Sequence, residues 1–244
     1  MEPTWSSNSR QAAADQCFLV LTCDPKLKGD NIVLRHPFMF CEDSRNDAQS
    51  HHVFGPTVEE YLSFQSFPDN VDDPSYPLQA SYFIANHQGF SAKCPHSGAH
   101  ANYILKERLL SQILESDLDI HIFGRNWNIN DPRYKGAPPL KKDGLLNYKY
   151  NIAIENSCEQ HYLSEKLFDG FLYHCVPIYY GCSTAQEAYP FNSFISFDPT
   201  RDDVIEQLRH IISQPVSPRQ KALRAAKLHY YEAHNLFTYL EEIL

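Results

Sequence analysis

Short apolar runs and stretches of helical period alternate along most of this chain. Residues 17–22 (CFLVLT) form a brief apolar run of buried-strand type. The turn residues Asp24-Pro25 and Gly29-Asp30 separate it from a second apolar stretch that ends at Phe40. Residues 41–77 are rich in Asp, Pro, Ser and aromatics and hold no sustained period. That segment reads as loops with one short helix at 57–64, where Pro56 and the pair Glu59-Glu60 suit a helix start.

From residue 78 the pattern is regular. Residues 81–85 (SYFIA) read as a strand, and 100–116 as a helix with Ile104, Leu105, Leu109, Ile113 and Leu114 at helical spacing. The alternating segment 119–123 (DIHIF) predicts a strand ended by Gly124-Arg125-Asn126, and 130–144 a loop of Pro, Gly and Lys. Tyr148, Tyr150, Ile152 and Ile154 alternate with Lys149, Asn151, Ala153 and Glu155, the period of a strand. Ser164 can cap a helix over 165–173, with Leu167, Phe168, Phe171 and Leu172 on one apolar face. A strand at 176–180 follows, and Ser183 and Gln186 stand at capping-box spacing for a short helix after Gly181. A strand at 194–197 and a helix at 203–213 come next. From Pro218 one long amphipathic helix carries Leu223, Ala226, Tyr230, Ala233, Phe237, Leu240 and Leu244 in steps of three and four. Helices alternating with strands in this way predict an α/β fold, a mostly parallel sheet flanked by helices.

Composition narrows the function classes. With 43% hydrophobic and 13% aromatic residues, the 244-residue chain can bury a sizeable core. A formal net charge of -9 argues against nucleic acid as the main partner. No run of about 18 apolar residues predicts a membrane-spanning helix. The polar start, residues 1–16, lacks the apolar core of a secretory signal and reads as a disordered tail. The expected setting is therefore cytoplasmic, with peripheral association at an inner membrane face as a second setting. Seven cysteines without a C-x-x-C pair fit a reduced compartment. Cys94 with His96, His51 with His52, and Cys158 with His161 could each supply two metal ligands, but none has a second pair at zinc-finger spacing, so no metal is expected.

Chemistry concentrates between Tyr148 and Gly181. Glu155, Asn156, Tyr162, Ser164, Glu165 and Lys166 gather after a predicted strand, at the carboxyl end where open α/β sheets bind ligands. A lysine in the first turn of a helix opposes the macrodipole by roughly 0.3–1 kcal/mol. Lys166 is easier to understand if it shares a phosphate with the free backbone N–H groups. Glu165 could then accept hydrogen bonds from a ribose diol, Tyr162 could bond or pack on the ligand, and Arg108 could bring a second cation to a diphosphate. Taken singly, Glu165 and Lys166 read as an exposed helix pair worth little, Arg108 as a solvated charge, and Glu155-Asn156 as a strand-end turn.

The stretch YKYNIAIENS…HYLSEKLFDGFLYHCVPIYYG resembles the donor-binding signature of the α-1,3-fucosyltransferases, glycosyltransferase family 10. That signature runs approximately Y-K-F-x-x-x-F-E-N-S, Y-[IV]-T-E-K, helix, V-P-[IV]-x-x-G. Tyr150, Ile154 and Ser164 are mild departures from it. The likeness continues through NSFISFDPT, ERLLSQILESDLDIHIFGR and, less closely, VLRHPFMF. It implies a GT-B-like fold of Rossmann-type domains and transfer of fucose from GDP-fucose to a glycan hydroxyl with inversion, without an obligatory metal or other cofactor. Arg108, Tyr162, Glu165 and Lys166 match residues that hold the ribose and phosphates of the donor, and Glu155 and Asn156 match a pair near its sugar. The expected organisation is a remnant of an acceptor-side domain at 17–77, a donor domain at 78–214 and a C-terminal helix at 215–244. The family's catalytic base is a Glu in a Gly-Glu-Asn-like segment upstream of 17–40, and Glu2 is the sole glutamate before that point. An incomplete N-terminal domain is therefore expected, the catalytic residue is unassigned, and Asp24, Glu42 and Asp43 are conceivable substitutes. A truncated relative that binds a GDP-sugar or glycan without turnover is the alternative, and another nucleotide-sugar donor is a third reading.

Overall fold

A computed structural model describes residues 20–22, 32–34, 78–86, 102–139, 141–158 and 162–233. The expected helix at 57–64, the tail 1–16 and the positions Asp24, Glu42 and Asp43 lie outside those residues. Strands β1 (Val20–Thr22) and β2 (Ile32–Leu34) pair in parallel. The larger sheet is built from β3 (Leu78–Phe83), β4 (Ile120–Phe123), β5 (Tyr134–Gly136), β6 (Tyr148–Ile154), β7 (Val176–Tyr180) and β8 (Ile195–Ser196). All its pairings are parallel, in the order β5-β4-β3-β6-β7-β8. In chain order the first strand of this sheet thus sits beside the fourth, the doubly wound arrangement in which the winding reverses between two central strands.

Helix α1 (Asn102–Glu115) joins β3 to β4, and α2 (Glu165–Leu172) joins β6 to β7. The short α3 (Ala185–Ala188), then α4 (Val204–Ile212) and α5 (Gln220–Ala233) complete the described chain. The core fills both faces of the central strands. Tyr82, Tyr150, Ile152, Phe168 and Phe171 are among its largest fully buried side chains. Burial of such aromatic and aliphatic side chains is worth about 1.5–3 kcal/mol each, the main force holding the layers together. Leu223, Ala226 and Tyr230 of α5 are buried in the same core, and the Tyr230 ring lies 4.8 Å from that of Phe168 on α2.

Three sequence expectations shift. The period-two alternation at 148–155 does not give β6 a wet face, because β6 is central and covered on both sides. Asn151 and Ala153 are buried, and Asn151 Nδ2 donates to Ser81 Oγ at 3.1 Å on the neighbouring strand. The segment 130–144 contains edge strand β5 and a 3₁₀ turn, Lys141–Gly144, rather than loop alone. Helix α3 forms after Gly181, but Thr184 occupies its N-cap without a side-chain bond, and Gln186 donates instead to Ser196.

Candidate functional site

The carboxyl ends of β3 and β6, adjacent strands whose crossover helices start there, open a cleft of about 550 Å³. That volume suits a nucleotide-sized ligand. Phe83, Ile84 and Ala85 line it from the end of β3, and Ile154 and Asn156 from the end of β6. Gly124 lines it after β4 and must be glycine, since a Cβ there would collide with the Ile84 carbonyl oxygen. The lining includes the cations Lys106, Arg125, Lys141 and Lys166 against the carboxylates Glu165 and Asp169. A cleft with excess positive charge inside a molecule of net charge -9 is a focused anion site.

Glu155 organises this cleft from beneath. It is fully buried and outside the lining. Its carboxylate accepts from the Ser164 N–H at 2.7 Å and from the Ser164 hydroxyl. Ser164 is the N-cap of α2, so Glu155 ties the end of β6 to the start of that helix. Lys166 Nζ lies 3.5 Å from Glu155 Oε2, 3.0 Å from Glu165 Oε1 and 2.8 Å from Ser164 Oγ. Burial alone would lower the Lys166 ammonium, but Glu165 and Glu155 outweigh it and hold the pKa well above the usual lysine value. Burial would likewise raise the Glu165 carboxyl, and Lys166 and Lys141 instead hold it far below the carboxylate range. The lysine at the helix start is therefore compensated by two carboxylates of its own chain, which offsets its poor fit to the macrodipole.

Lys141, from the 3₁₀ turn, is ion-paired with Asp169 of α2 and lies 3.9 Å from Glu165. Burial pushes the Asp169 carboxyl up, to about 6, against the pull of Lys141. Across the cleft Lys106 Nζ donates to Asn156 Oδ1 at 2.6 Å. The Asn156 carbonyl accepts from the Asn102 N–H at 3.0 Å, and Asn102 Nδ2 donates to the Glu155 carbonyl at 3.0 Å. The start of α1 is thereby latched to the end of β6.

Of the six residues singled out from sequence, Asn156, Glu165 and Lys166 line the cleft. Glu155 lies under it, and Tyr162 is buried outside the lining. Arg108 is exposed on α1, 3.8 Å from Asp202, and is not brought to the cleft. The reason is the rotation of α1. Its buried stripe is Asn102, Lys106, Leu109, Leu110 and Ile113, while Ile104, expected to face the core, is exposed. Lys106 and Lys141 went unrecognised in the sequence. A lysine four residues after Asn102 and three before Leu109 was the available signal, since that spacing puts a charge on the inward stripe. For Lys141 there was no local signal.

Cys158 is the one described member of the three candidate metal pairs, and no cluster of three or more His, Cys, Asp or Glu could hold a metal among the described residues. Among those residues no helix is long and apolar enough to cross a membrane.

Residues 96–215 match the family model described as glycosyltransferase family 10 (fucosyltransferase) C-term. An α-(1,3)-fucosyltransferase FucT of Helicobacter pylori is 27% identical over 73 residues, 29% of this chain and 15% of that protein. A putative fucosyltransferase-like protein of Arabidopsis thaliana is 30% identical over 116 residues, 48% of this chain and 20% of that protein. An Arabidopsis thaliana α-(1,4)-fucosyltransferase is 43% identical over 51 residues, 21% of this chain and 13% of its own length. The matched segments thus span at most a fifth of these relatives. A crystal structure of α1,3-fucosyltransferase with GDP-fucose superposes with a TM-score of 0.52 at 15% identity, covering 86% of this chain and 61% of that one. That likeness speaks to the fold, which is of the α/β, GT-B-like kind expected. Residues 96–215 are thus similar to the C-terminal domain of glycosyltransferase family 10, the fucosyltransferases.

Proposed function

We infer that the cleft binds GDP-fucose and that the protein transfers its fucose to a glycan hydroxyl with inversion. The observation that carries this reading is Lys166, presented at the start of α2 in a net cationic cleft where the winding of the sheet reverses. Lys166 meets a diphosphate oxygen, and Glu165 beside it accepts from the ribose diol. Asn156 lies near the sugar. Glu155 acts one layer back by holding Ser164 and Lys166 in place. The family match and the related structure solved with GDP-fucose support the choice of donor. In an inverting displacement a carboxylate takes the proton of the attacking hydroxyl as the nucleotide departs.

A second reading, binding without turnover, is favoured by one observation. Among the described residues both carboxylates of the cleft lining, Glu165 and Asp169, are engaged by lysines. Neither is then a ready base. Incubation with GDP-fucose and a panel of glycan acceptors separates the two readings. Fucose appearing on any acceptor removes the inactive reading, and GDP binding without transfer to any acceptor removes the catalytic one. The donor site has its own test. Lys166→Ala should weaken GDP binding at least tenfold, about 1.4 kcal/mol, and equal affinities by calorimetry would sink the assignment.

A further inference from the structure

We propose that Lys106 is a proton-coupled anion anchor, whose Nζ leaves Asn156 and takes a proton from solvent when a nucleoside diphosphate enters the cleft. The inference rests on the nucleotide reading above and deepens it.

The lysines of the lining are not equivalent. Lys166 is compensated by Glu165 and Glu155, and Lys141 by Asp169 and Glu165. Lys106 has no carboxylate within ion-pair distance among the described residues. Its polar partner is the neutral Asn156 side chain at 2.6 Å, and its Nζ stands 5.0 Å from the centre of the Tyr103 ring. The residue is only 6% exposed. The facing charged groups are Lys166 and Glu165 at the start of α2 and Glu155 at the end of β6. Lys141, Asp169 and Arg125 line the same cleft, and the Tyr82 hydroxyl of β3 donates to the Lys106 carbonyl. Burial, then Lys166, lowers the ammonium to about 7, with Glu155 and Glu165 pulling the other way. Near neutrality the amine is thus close to half protonated.

A diphosphate changes that balance. Its negative charges stabilise the ammonium and leave the neutral amine unaffected, so binding draws a proton from solvent onto Nζ. Above neutrality this uptake opposes binding, and affinity falls as pH rises. A permanently charged guanidinium at the same place would bind the anion without it.

The test is calorimetry of GDP binding to the full chain near pH 8, in Tris and in HEPES, whose ionisation enthalpies differ. At that pH the terminal phosphate of GDP has already lost its proton. Wild type should take up close to one proton per GDP and bind roughly tenfold more weakly at about pH 8.5 than at about pH 7. Lys106→Arg should bind with no uptake and a flatter pH profile. Lys106→Met, checked for folding by circular dichroism, should bind weakly and without uptake. GDP binding by wild type without uptake, or equal uptake by Lys106→Arg, overturns the inference and leaves the nucleotide reading standing. Absence of GDP binding by wild type overturns both.

Discussion

Glu155 shows how much a residue can matter to a site it does not line. It accepts from both polar groups of Ser164 and lies beside Lys166, with no exposure of its own. Removing one member of a buried charged network leaves the others unpaired, at a cost of about 3–5 kcal/mol. Glu155→Ala should therefore lower unfolding stability on that order and weaken GDP binding as well, measurable by denaturant titration and calorimetry on the same sample. Lys106 gives a prediction of opposite sign. A lysine titrates near 10.4 in an unfolded chain, and its folded value here is about 7. Between about pH 7 and 8.5 the unfolded chain therefore holds a proton the folded protein lacks, and stability rises with pH by up to about 1.4 kcal/mol per unit. Higher up, the thiol of Cys175, raised by burial, contributes stability that is lost with rising pH. Denaturation curves across the lower window should slope upward for wild type and flatten for Lys106→Met.

Helix α1 illustrates what helical periodicity leaves open. Its span was readable from 100–116, but its rotation was not. Ile104 and Leu105 suggested one face, whereas the helix buries Asn102, Lys106 and Leu109, with the Asn102 and Lys106 side chains bonded to Glu155 and Asn156 at the end of β6. The other end of α1 depends on Arg133, whose guanidinium donates to the carbonyls of Ile113, Leu114, Ser116 and Leu118 at 2.7–2.9 Å. Asp131 orients it at 2.8 Å. Ile113 and Leu114 are among the carbonyls the end of α1 leaves without an intrahelical partner, and Ser116 and Leu118 belong to the turn beyond it. The expected loop that holds Arg133 contains edge strand β5. Arg133→Ala should destabilise the protein by roughly 2–3 kcal/mol, detectable as a lower denaturation midpoint with an unchanged slope. Gly181, after β7, has a comparable constraint, since a Cβ there would press into Glu155 Cβ and Cγ.

The whole molecule places an anion site inside an acidic protein. Its net charge of -9 disfavours nucleic acid on the outside, while Lys106, Lys141 and Lys166 converge on the cleft at the carboxyl ends of β3 and β6, where the winding of the sheet reverses. A ligand bound there bridges elements from two halves of the sheet and should stabilise the fold as a unit. At a hundredfold excess over its dissociation constant a true donor should add about 2.7 kcal/mol. Thermal shifts should then rank GDP-fucose above GDP-mannose and UDP-sugars, and a larger shift with a UDP-sugar would refute the choice of nucleotide.

Local pattern was enough to establish the alternation of strands and helices, the helix start at Ser164 and the polar cluster that follows β6. Those features follow from periodicity, capping chemistry and strand ends, all of which act over a few residues. Which of the clustered residues face a ligand could not be read the same way. It depends on helix rotation and strand order, set by packing between segments far apart in the chain. Hence Arg108 lies outside while Lys106 faces in, and Lys141 joins Asp169 from a segment that looked like loop. Glu155 and Tyr162 are buried behind the surface they were expected to form, Glu155 because the capping Ser164 of α2 and Tyr179 of β7 close over its carboxylate.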